Sequence, residues 1–165
     1  MGDAWGNHVA IVVNGILRQP NDSSVIIPGL LIYKSLVKDH RVSLIIDSGA
    51  KEKVQYWLLM NSLTDHVNEI YWENTDSEDT ATRRLAQITR LRKQGALALV
   101  YESDTEAATR LLQAQIPTML FLHPQYTHPD FRPGRKDEPT PWNNLLAEKI
   151  RQQEARATDT RLLDF

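Results

Sequence analysis

The stretch VAIVVNG, residues 9–15, is a continuous aliphatic run that stops at an Asn-Gly pair. An apolar run without polar alternation predicts a strand buried on both faces of a parallel sheet. The pair Asn14-Gly15 is typical of a turn, because both residues tolerate backbone conformations that most residues avoid. Residues 9–13 are therefore the best candidate for the central strand of the domain.

Four more short apolar runs follow the first. They are residues 42–46, 69–72, 97–101 and 118–122. Between the runs, apolar residues recur at the spacing of one helix face, as Leu85, Ile88 and Leu91 do. Strands that alternate with amphipathic helices predict a three-layer α/β fold, in which helices cover both faces of a five-stranded, mainly parallel sheet.

Composition limits the class of protein. The chain has 165 residues, a net charge of −2 and no cysteine. The length suits one domain with its own core, and the lack of cysteine excludes disulfide scaffolds, thiolate nucleophiles and cysteine zinc sites. No apolar run approaches the roughly 20 residues that span a bilayer. We therefore expect an intracellular protein with no membrane partner, and the balanced charge argues against nucleic acid as a partner.

The last part of the chain has a different pattern. Five of the eight prolines lie in residues 123–141, which show no hydrophobic period. We expect an α/β core at 1–122, a Pro-rich loop at 123–141, a helix at 142–156 that packs on the core or on a partner, and a flexible tail at 157–165.

Three side chains of this C-terminal part are candidate partner contacts. Trp142 begins the predicted helix, and a large aromatic side chain can anchor a docked helix. Arg132 and Arg135 form a small basic group that can contact an acidic surface, although a solvated loop explains the same pattern. Residues 124–156 are the expected contact surface.

Polar side chains follow several of the predicted strands. They are Asn14, Asp47, Ser48, Glu102 and Asp104. Ligands of parallel α/β sheets bind beyond the carboxyl ends of the strands, so these residues define the candidate site. The chain has no dinucleotide-binding glycine motif, no P-loop and no serine-hydrolase motif.

The first strand and its turn resemble the haloacid dehalogenase-like (HAD) superfamily, whose members carry Asp-x-Asp-Gly-(Thr/Val)-(Leu/Val) at this place. The matching stretch is Val12-Val13-Asn14-Gly15-Ile16-Leu17. The resemblance covers residues 9–122 and implies a Rossmannoid domain. The segments after the first and third strands are short, which leaves no cap domain.

Further HAD motifs match in the same order along the chain. Ser48 matches the Ser or Thr that ends the second strand, and Lys93 or Arg90 matches the basic residue ahead of the fourth strand. Glu102 and Asp104 resemble the acidic cluster that ends the fourth strand. The tail, from residue 121 onward, is similar to small HAD-like proteins of actinobacteriophages. That similarity implies a phage protein in the host cytoplasm or in the virion.

The resemblance also implies a loss of catalysis. In HAD phosphatases the first aspartate is the nucleophile and the second is the general acid and base, with Mg²⁺ neutralising the phosphoryl group. Here Val12 and Asn14 stand at those two positions. An isopropyl group cannot attack phosphorus or bind Mg²⁺, and a carboxamide does not exchange protons near neutral pH. We expect no catalytic residue and no cofactor.

The leading hypothesis is a catalytically inactive HAD-like binding module for a protein partner or a second copy of the chain, in virion assembly or phage–host interaction. An alternative is a Mg²⁺-dependent phosphatase or nucleotidase that uses Asp47, Glu102 and Asp104 as metal ligands.

A further alternative is a non-catalytic phosphate or nucleotide binder, in which Asn14, Ser48 and Lys93 hold the phosphate. Ordinary turn and helix-cap roles are the simpler explanation of the polar residues of the candidate site, because each of these residue types commonly forms caps or turns.

Overall fold

The structure is a computed structural model that describes residues 8–20, 23–122 and 141–158. In the last of these ranges, side chains are described for residues 145–152 and 154. Arg132 and Arg135 lie outside the described residues, as does most of the predicted Pro-rich loop.

Among the described residues, five strands form one parallel sheet. They are β1 (His8–Val12), β2 (Arg41–Ile46), β3 (Asn68–Tyr71), β4 (Leu99–Glu102) and β5 (Thr118–Leu120). Their order is β3-β2-β1-β4-β5, and every pairing is parallel. All five residues of β1 are buried, which confirms the prediction of a central strand.

In the described part of the chain, five helices pack around the sheet. They are α1 (Ile27–Asp39), α2 (Lys51–Met60), α3 (Thr80–Gln94), α4 (Thr105–Gln113) and α5 (Pro141–Thr158). Right-handed crossovers place α1 and α2 on one face and α3 and α4 on the other. Helix α4 packs against both α3 and α5. The predicted three-layer, Rossmann-like α/β fold is confirmed. No helix of the described ranges is both long and apolar enough to span a membrane.

The structure sets the start of α3, for which the sequence predicted no boundary, and moves the start of α5. Helix α3 begins at Thr80, because the Asp79 carboxylate accepts a hydrogen bond from the Thr82 amide at 2.8 Å and caps the helix. Helix α5 begins at Pro141, which the sequence assigned to the loop, and continues to Thr158.

The turn after β1 lies directly against α1. The Val13 carbonyl accepts hydrogen bonds from the amides of Leu17 and Arg18, both at 3.0 Å, which closes the turn. A Cβ atom on Gly29 of α1 would lie 1.6 Å from the carbonyl oxygen of Ile16. Only glycine therefore allows α1 to approach the turn this closely, and this contact sets where the turn lies above the sheet.

Replacing Gly29 by alanine should destabilise the fold, because the new methyl group meets backbone that cannot rotate away. We expect the free energy of unfolding to fall by about 1–3 kcal/mol or more in urea denaturation followed by circular dichroism. Gly95→Ala is the matched control, since a Cβ there meets no atom within 4 Å. Its backbone is extended at φ 165°, so the control should change stability by less than about 1 kcal/mol. Equal losses in the two variants would refute this account.

Candidate functional site

Asn14 lies at the centre of a polar cluster at the carboxyl edge of the sheet. Its Nδ2 donates hydrogen bonds to Asp47 Oδ1 at 2.8 Å and to Ser48 Oγ at 2.5 Å. Its Oδ1 accepts two hydrogen bonds from Arg18, at 3.0 Å from Nε and 2.9 Å from Nη2. A carboxamide has two donor hydrogens and two acceptor lone pairs, so the Asn14 side chain has no hydrogen-bonding capacity left.

The tight turn after β1 brings Arg18 back to Asn14. The Gly15 amide donates a hydrogen bond to the Arg18 carbonyl at 2.8 Å. This turn brings the side chain of Arg18 to the end of β1. There the Arg18 guanidinium lies 5.6 Å from the centre of the Trp57 ring, a cation–π distance. On the other side, Ser103 Oγ donates to the Asn14 carbonyl at 2.8 Å. The backbone and side chain of Asn14 thus connect β1 to the loops after β2 and β4.

Arg84 joins the two buried carboxylates of this edge. Its Nε donates to Asp47 Oδ2 at 3.1 Å, and its Nη1 donates to Glu102 Oε1. Asp47 follows β2 and Glu102 ends β4, so one guanidinium connects the strands on either side of β1. The neighbouring Arg83 adds a longer ion pair, 3.6 Å from its Nη2 to Asp47 Oδ2.

The protonation of this group follows from its burial and its pairing. Burial alone would lower the pKa of Arg84, but the charges of Glu102 and Asp47 outweigh it and raise the pKa. Burial raises the pKa of Glu102, while Arg84 and the amides of Asp104 and Ser103 act in the opposite direction. Glu102 is fully buried, and its Oε2 has no hydrogen-bond partner among the described residues. The positive charge of Arg84 therefore compensates the buried carboxyl groups of Asp47 and Glu102.

The structure brings several of the predicted site residues together. Asn14, Asp47 and Ser48 are hydrogen-bonded to one another, and Glu102 joins them through Arg84. Asp104 lies beside Glu102, and its Oδ1 accepts a hydrogen bond from the Ala107 amide at 2.7 Å. That bond caps α4, as the sequence predicted for this residue.

Val12 lies in the core. It is fully buried at the end of β1 and pairs in register with Ile45 of β2. Its side chain contributes to the apolar centre of the sheet, immediately below the polar cluster.

Lys93 is not part of the cluster. It is exposed in the last turn of α3, about 20 Å along the helix from Thr80 at the rise of 1.5 Å per residue. Its neighbours Gln94 and Gly95 line a cleft of about 400 Å³ with His8, at the amino edge of the sheet. The structure therefore does not bring Lys93 together with Asn14 and Ser48, because the two ends of α3 lie at opposite edges.

Arg90, the alternative basic residue, pairs with Asp76 through its Nη1 at 2.6 Å and its Nη2 at 2.9 Å. The basic residues that do reach the cluster are Arg18, Arg83 and Arg84. Arg83 and Arg84 lie four and five residues after Asp79, the cap of α3, so recognising that cap in the sequence would have placed them at the carboxyl edge.

The proposed magnesium ligands are engaged in other contacts. Asp47 and Glu102 share Arg84, and Asp104 caps α4. Across the described ranges, no three acidic or histidine side chains form a group that could hold a metal ion. Carboxylate oxygens are the ligands that Mg²⁺ requires, and here they accept hydrogen bonds from guanidinium and amide groups.

The candidate partner contacts fall largely outside the described residues. Trp142 lies in the first turn of α5, but its side chain is not among those described.

Comparison with known proteins does not assign the chain to a family. No protein-family model matches the chain. A search of curated proteins also finds no match. The geometry of the cluster therefore carries the functional argument, and the HAD resemblance stays a proposal.

Replacing Arg84 by methionine should strongly destabilise the protein, because two buried carboxylates lose their common counter-charge. We expect the free energy of unfolding to fall by about 3–5 kcal/mol in urea denaturation. Arg92→Met is the matched control, since Arg92 is exposed on the same helix, and it should change stability by less than about 0.5 kcal/mol. A loss in Arg84→Met no larger than in the control would show that the buried pairs contribute little.

Proposed function

We propose that this chain is a catalytically inactive, HAD-like protein that acts by binding another macromolecule. The observation that carries the proposal is the closed cluster formed by Asn14, Asp47, Arg84 and Glu102. A phosphatase of this fold needs a free carboxylate and a metal at that edge. Here the Asn14 carboxamide and the Asp47 carboxylate are hydrogen-bonded, and Glu102 is fully buried with one oxygen paired to Arg84.

The positions that would carry the chemistry support the proposal. Val12 is an aliphatic core residue, and the four hydrogen bonds of the Asn14 carboxamide hold it in a structural role. Under the HAD resemblance these are the places of the nucleophile and of the acid and base. Neither side chain can form an aspartyl-phosphate or exchange a proton near neutral pH.

The free-energy cost of breaking the buried ion pairs of Arg84 also supports the proposal that the protein is inactive. A Mg²⁺ ion bound by Asp47 and Glu102 would have to displace Arg84, which is itself buried. Leaving a buried guanidinium without its carboxylates costs about 3–5 kcal/mol. This cost opposes metal binding by Asp47 and Glu102 together, which argues against the phosphatase or nucleotidase alternative.

A binding role agrees with the exposed apolar side chains of the described helices. Five of these side chains on α1 and α2 are more than 60% exposed: Ile27, Leu31, Tyr56, Leu59 and Met60. Leu146 and Ile150 of α5 are 42% and 55% exposed. Grouped apolar side chains at a protein surface are typical of interaction sites. The phage origin, and with it a virion or host-cytoplasm location, is part of the proposal and rests on the tail resemblance alone.

The catalytic half of the proposal is tested with phosphate esters. We expect purified protein with Mg²⁺ to hydrolyse neither p-nitrophenyl phosphate nor nucleoside monophosphates above the rate in buffer, measured as phosphate release. The Asp47→Asn variant serves as the diagnostic, and Asp39→Asn, at an exposed position, is its control. Hydrolysis by the wild type that Asp47→Asn abolishes and Asp39→Asn retains would establish an enzyme.

One observation favours the alternative of a non-catalytic phosphate binder. Helix α2 starts after Ala50 without a side-chain cap, so its first amides are open to an anion. Gly49 lies just before that helix, and a Cβ atom added to it would be 4.0 Å from Nη2 of Arg18.

Inorganic phosphate distinguishes this alternative. If the site binds phosphate, the melting temperature of the wild type should rise with phosphate but not with an equal concentration of chloride. The rise should disappear in Arg18→Met and persist in Arg41→Met, a matched change at an exposed arginine of β2. An unchanged melting temperature of the wild type in phosphate would exclude the hypothesis that the protein binds phosphate.

A further inference from the structure

A cleft of about 400 Å³ lies at the amino edge of the sheet, where β1, β2 and β3 begin and α3 ends. Its polar lining comes from His8, Arg41, Ser43, Asn68 and Gln94, and none of the described residues that line it is acidic. A cleft of this volume is within the usual size of small-ligand sites. The lining therefore favours a ligand that is negatively charged.

The parallel register places these polar groups on one face of the sheet. His8 pairs with Arg41, and Ser43 pairs with Asn68. Alternate residues of a strand share a face, so Arg41 and Ser43 lie on the same side of β2. His8 Nε2 lies 2.7 Å from Ser43 Oγ on that side. Asn68 Nδ2 donates a hydrogen bond to Gln94 Oε1 at 3.0 Å, which connects this face to the end of α3.

Several hydrogen-bond donors of the cleft have no acceptor in the described part of the chain. Arg41 is exposed, and its guanidinium forms no ion pair with any described residue. Arg84 and Arg90, by contrast, each pair with a carboxylate. The Nε2 group of Gln94 donates to no described residue, and Asn68 uses only one of its two amide hydrogens for a described residue. The cleft thus presents one full positive charge and several amide hydrogens to a ligand.

His8 is the second basic group of the cleft. Burial lowers its pKa, and the charge of Arg41 lowers it further, while a hydrogen bond to the Ala96 backbone acts in the opposite direction. The Ser43 hydroxyl can accept as well as donate, so His8 keeps this hydrogen bond when it takes up a proton. The remaining polar groups of the lining are neutral: Asn68 and Gln94. A negative charge beside Arg41 would therefore favour protonated His8.

We propose that this cleft binds a small carboxylic acid, whose carboxylate pairs with the Arg41 guanidinium while its other polar groups accept hydrogen bonds from Asn68 and Gln94. Binding is coupled to protonation of His8, because the charge of the ligand offsets the charge of Arg41. The proposal does not rest on the inactive cluster, since the cleft lies at the opposite edge of the sheet and shares no residue with it.

A carboxylate fits this cleft better than a phosphate does. The planar guanidinium group donates two parallel hydrogen bonds to the two oxygens of a carboxylate. Arg41 supplies one positive charge, which matches a monoanion. A phosphate monoester carries close to two negative charges at neutral pH, and the second would stay uncompensated while His8 is neutral. The phosphate alternative above concerns Arg18 at the carboxyl edge, so the two sites should be lost in different variants.

Nuclear magnetic resonance titration of the full chain with N-acetylglycine tests the site. This probe has one carboxylate and one amide, and its methyl ester lacks the charge. We expect saturable shifts of the side-chain amide signals of Asn68 and Gln94 with the acid and none with the ester. Arg41→Met should weaken binding about tenfold or more, because a charge-assisted pair is lost. Arg92→Met is the matched control, since Arg92 is exposed outside the cleft, and it should leave the dissociation constant unchanged.

Three results would overturn the proposal. They are the absence of a saturable shift with the acid, equal binding of the ester, and equal weakening in the two arginine variants. Inorganic phosphate that shifts the same signals as strongly as the acid would overturn the choice of a carboxylate. Circular dichroism checks that both variants are folded, and the comparison of acid with ester needs the wild type alone.

The proton coupling has its own measurement. The pKa of His8, followed through its ring signals, should rise when N-acetylglycine saturates the protein. Carboxylate binding should accordingly be tighter at about pH 6 than at about pH 8, because His8 takes up a proton more readily once the charge of Arg41 is offset. A pKa of His8 that stays constant, with equal affinity at both pH values, would overturn the coupling.

Discussion

The buried ion pairs of Arg84 are the constraint on which the carboxyl edge of this protein depends. Asp47 and Glu102 end the strands on either side of β1, and both lie inside the protein. An uncompensated carboxylate would not stay ionised there. Arg84 reaches both from the first turns of α3, so this helix cannot move without exposing two acids. The Asn14 carboxamide then completes the edge, because Asp47 has an oxygen left to accept its amide hydrogen.

This constraint has a functional consequence. In an α/β enzyme, polar groups at the carboxyl edge face a ligand and have hydrogen-bond donors and acceptors free to contact it. Here the carboxamide of Asn14 is saturated, Arg84 bridges two acids, and Asp104 caps a helix. The polar residues at this edge therefore contact one another through hydrogen bonds and ion pairs. Large apolar side chains are exposed on the outer surface of the described helices.

Prediction from the sequence succeeded where the information was local. The five apolar runs located the five strands to within about two residues, and Asp104 caps α4 as its position implied. It did not locate the basic residues that lie at the carboxyl edge. Lys93 was assigned to the cluster because it precedes the fourth strand in the chain, but it lies near the end of α3 furthest from that edge. Arg18 and Arg84 were overlooked because arginines among polar residues are usually solvated.

The sequence by itself determined the class of fold. Hydrophobic runs and helical periods depend on neighbouring residues, and they suffice to specify parallel strands with helices on both faces. Only the tertiary structure decided which charges are buried. Arg84 lies 37 positions from Asp47 and 18 from Glu102, and no local pattern encodes contacts over such separations. Whether a carboxylate binds a metal or a guanidinium depends on what the fold places beside it, and this protein places Arg84 there.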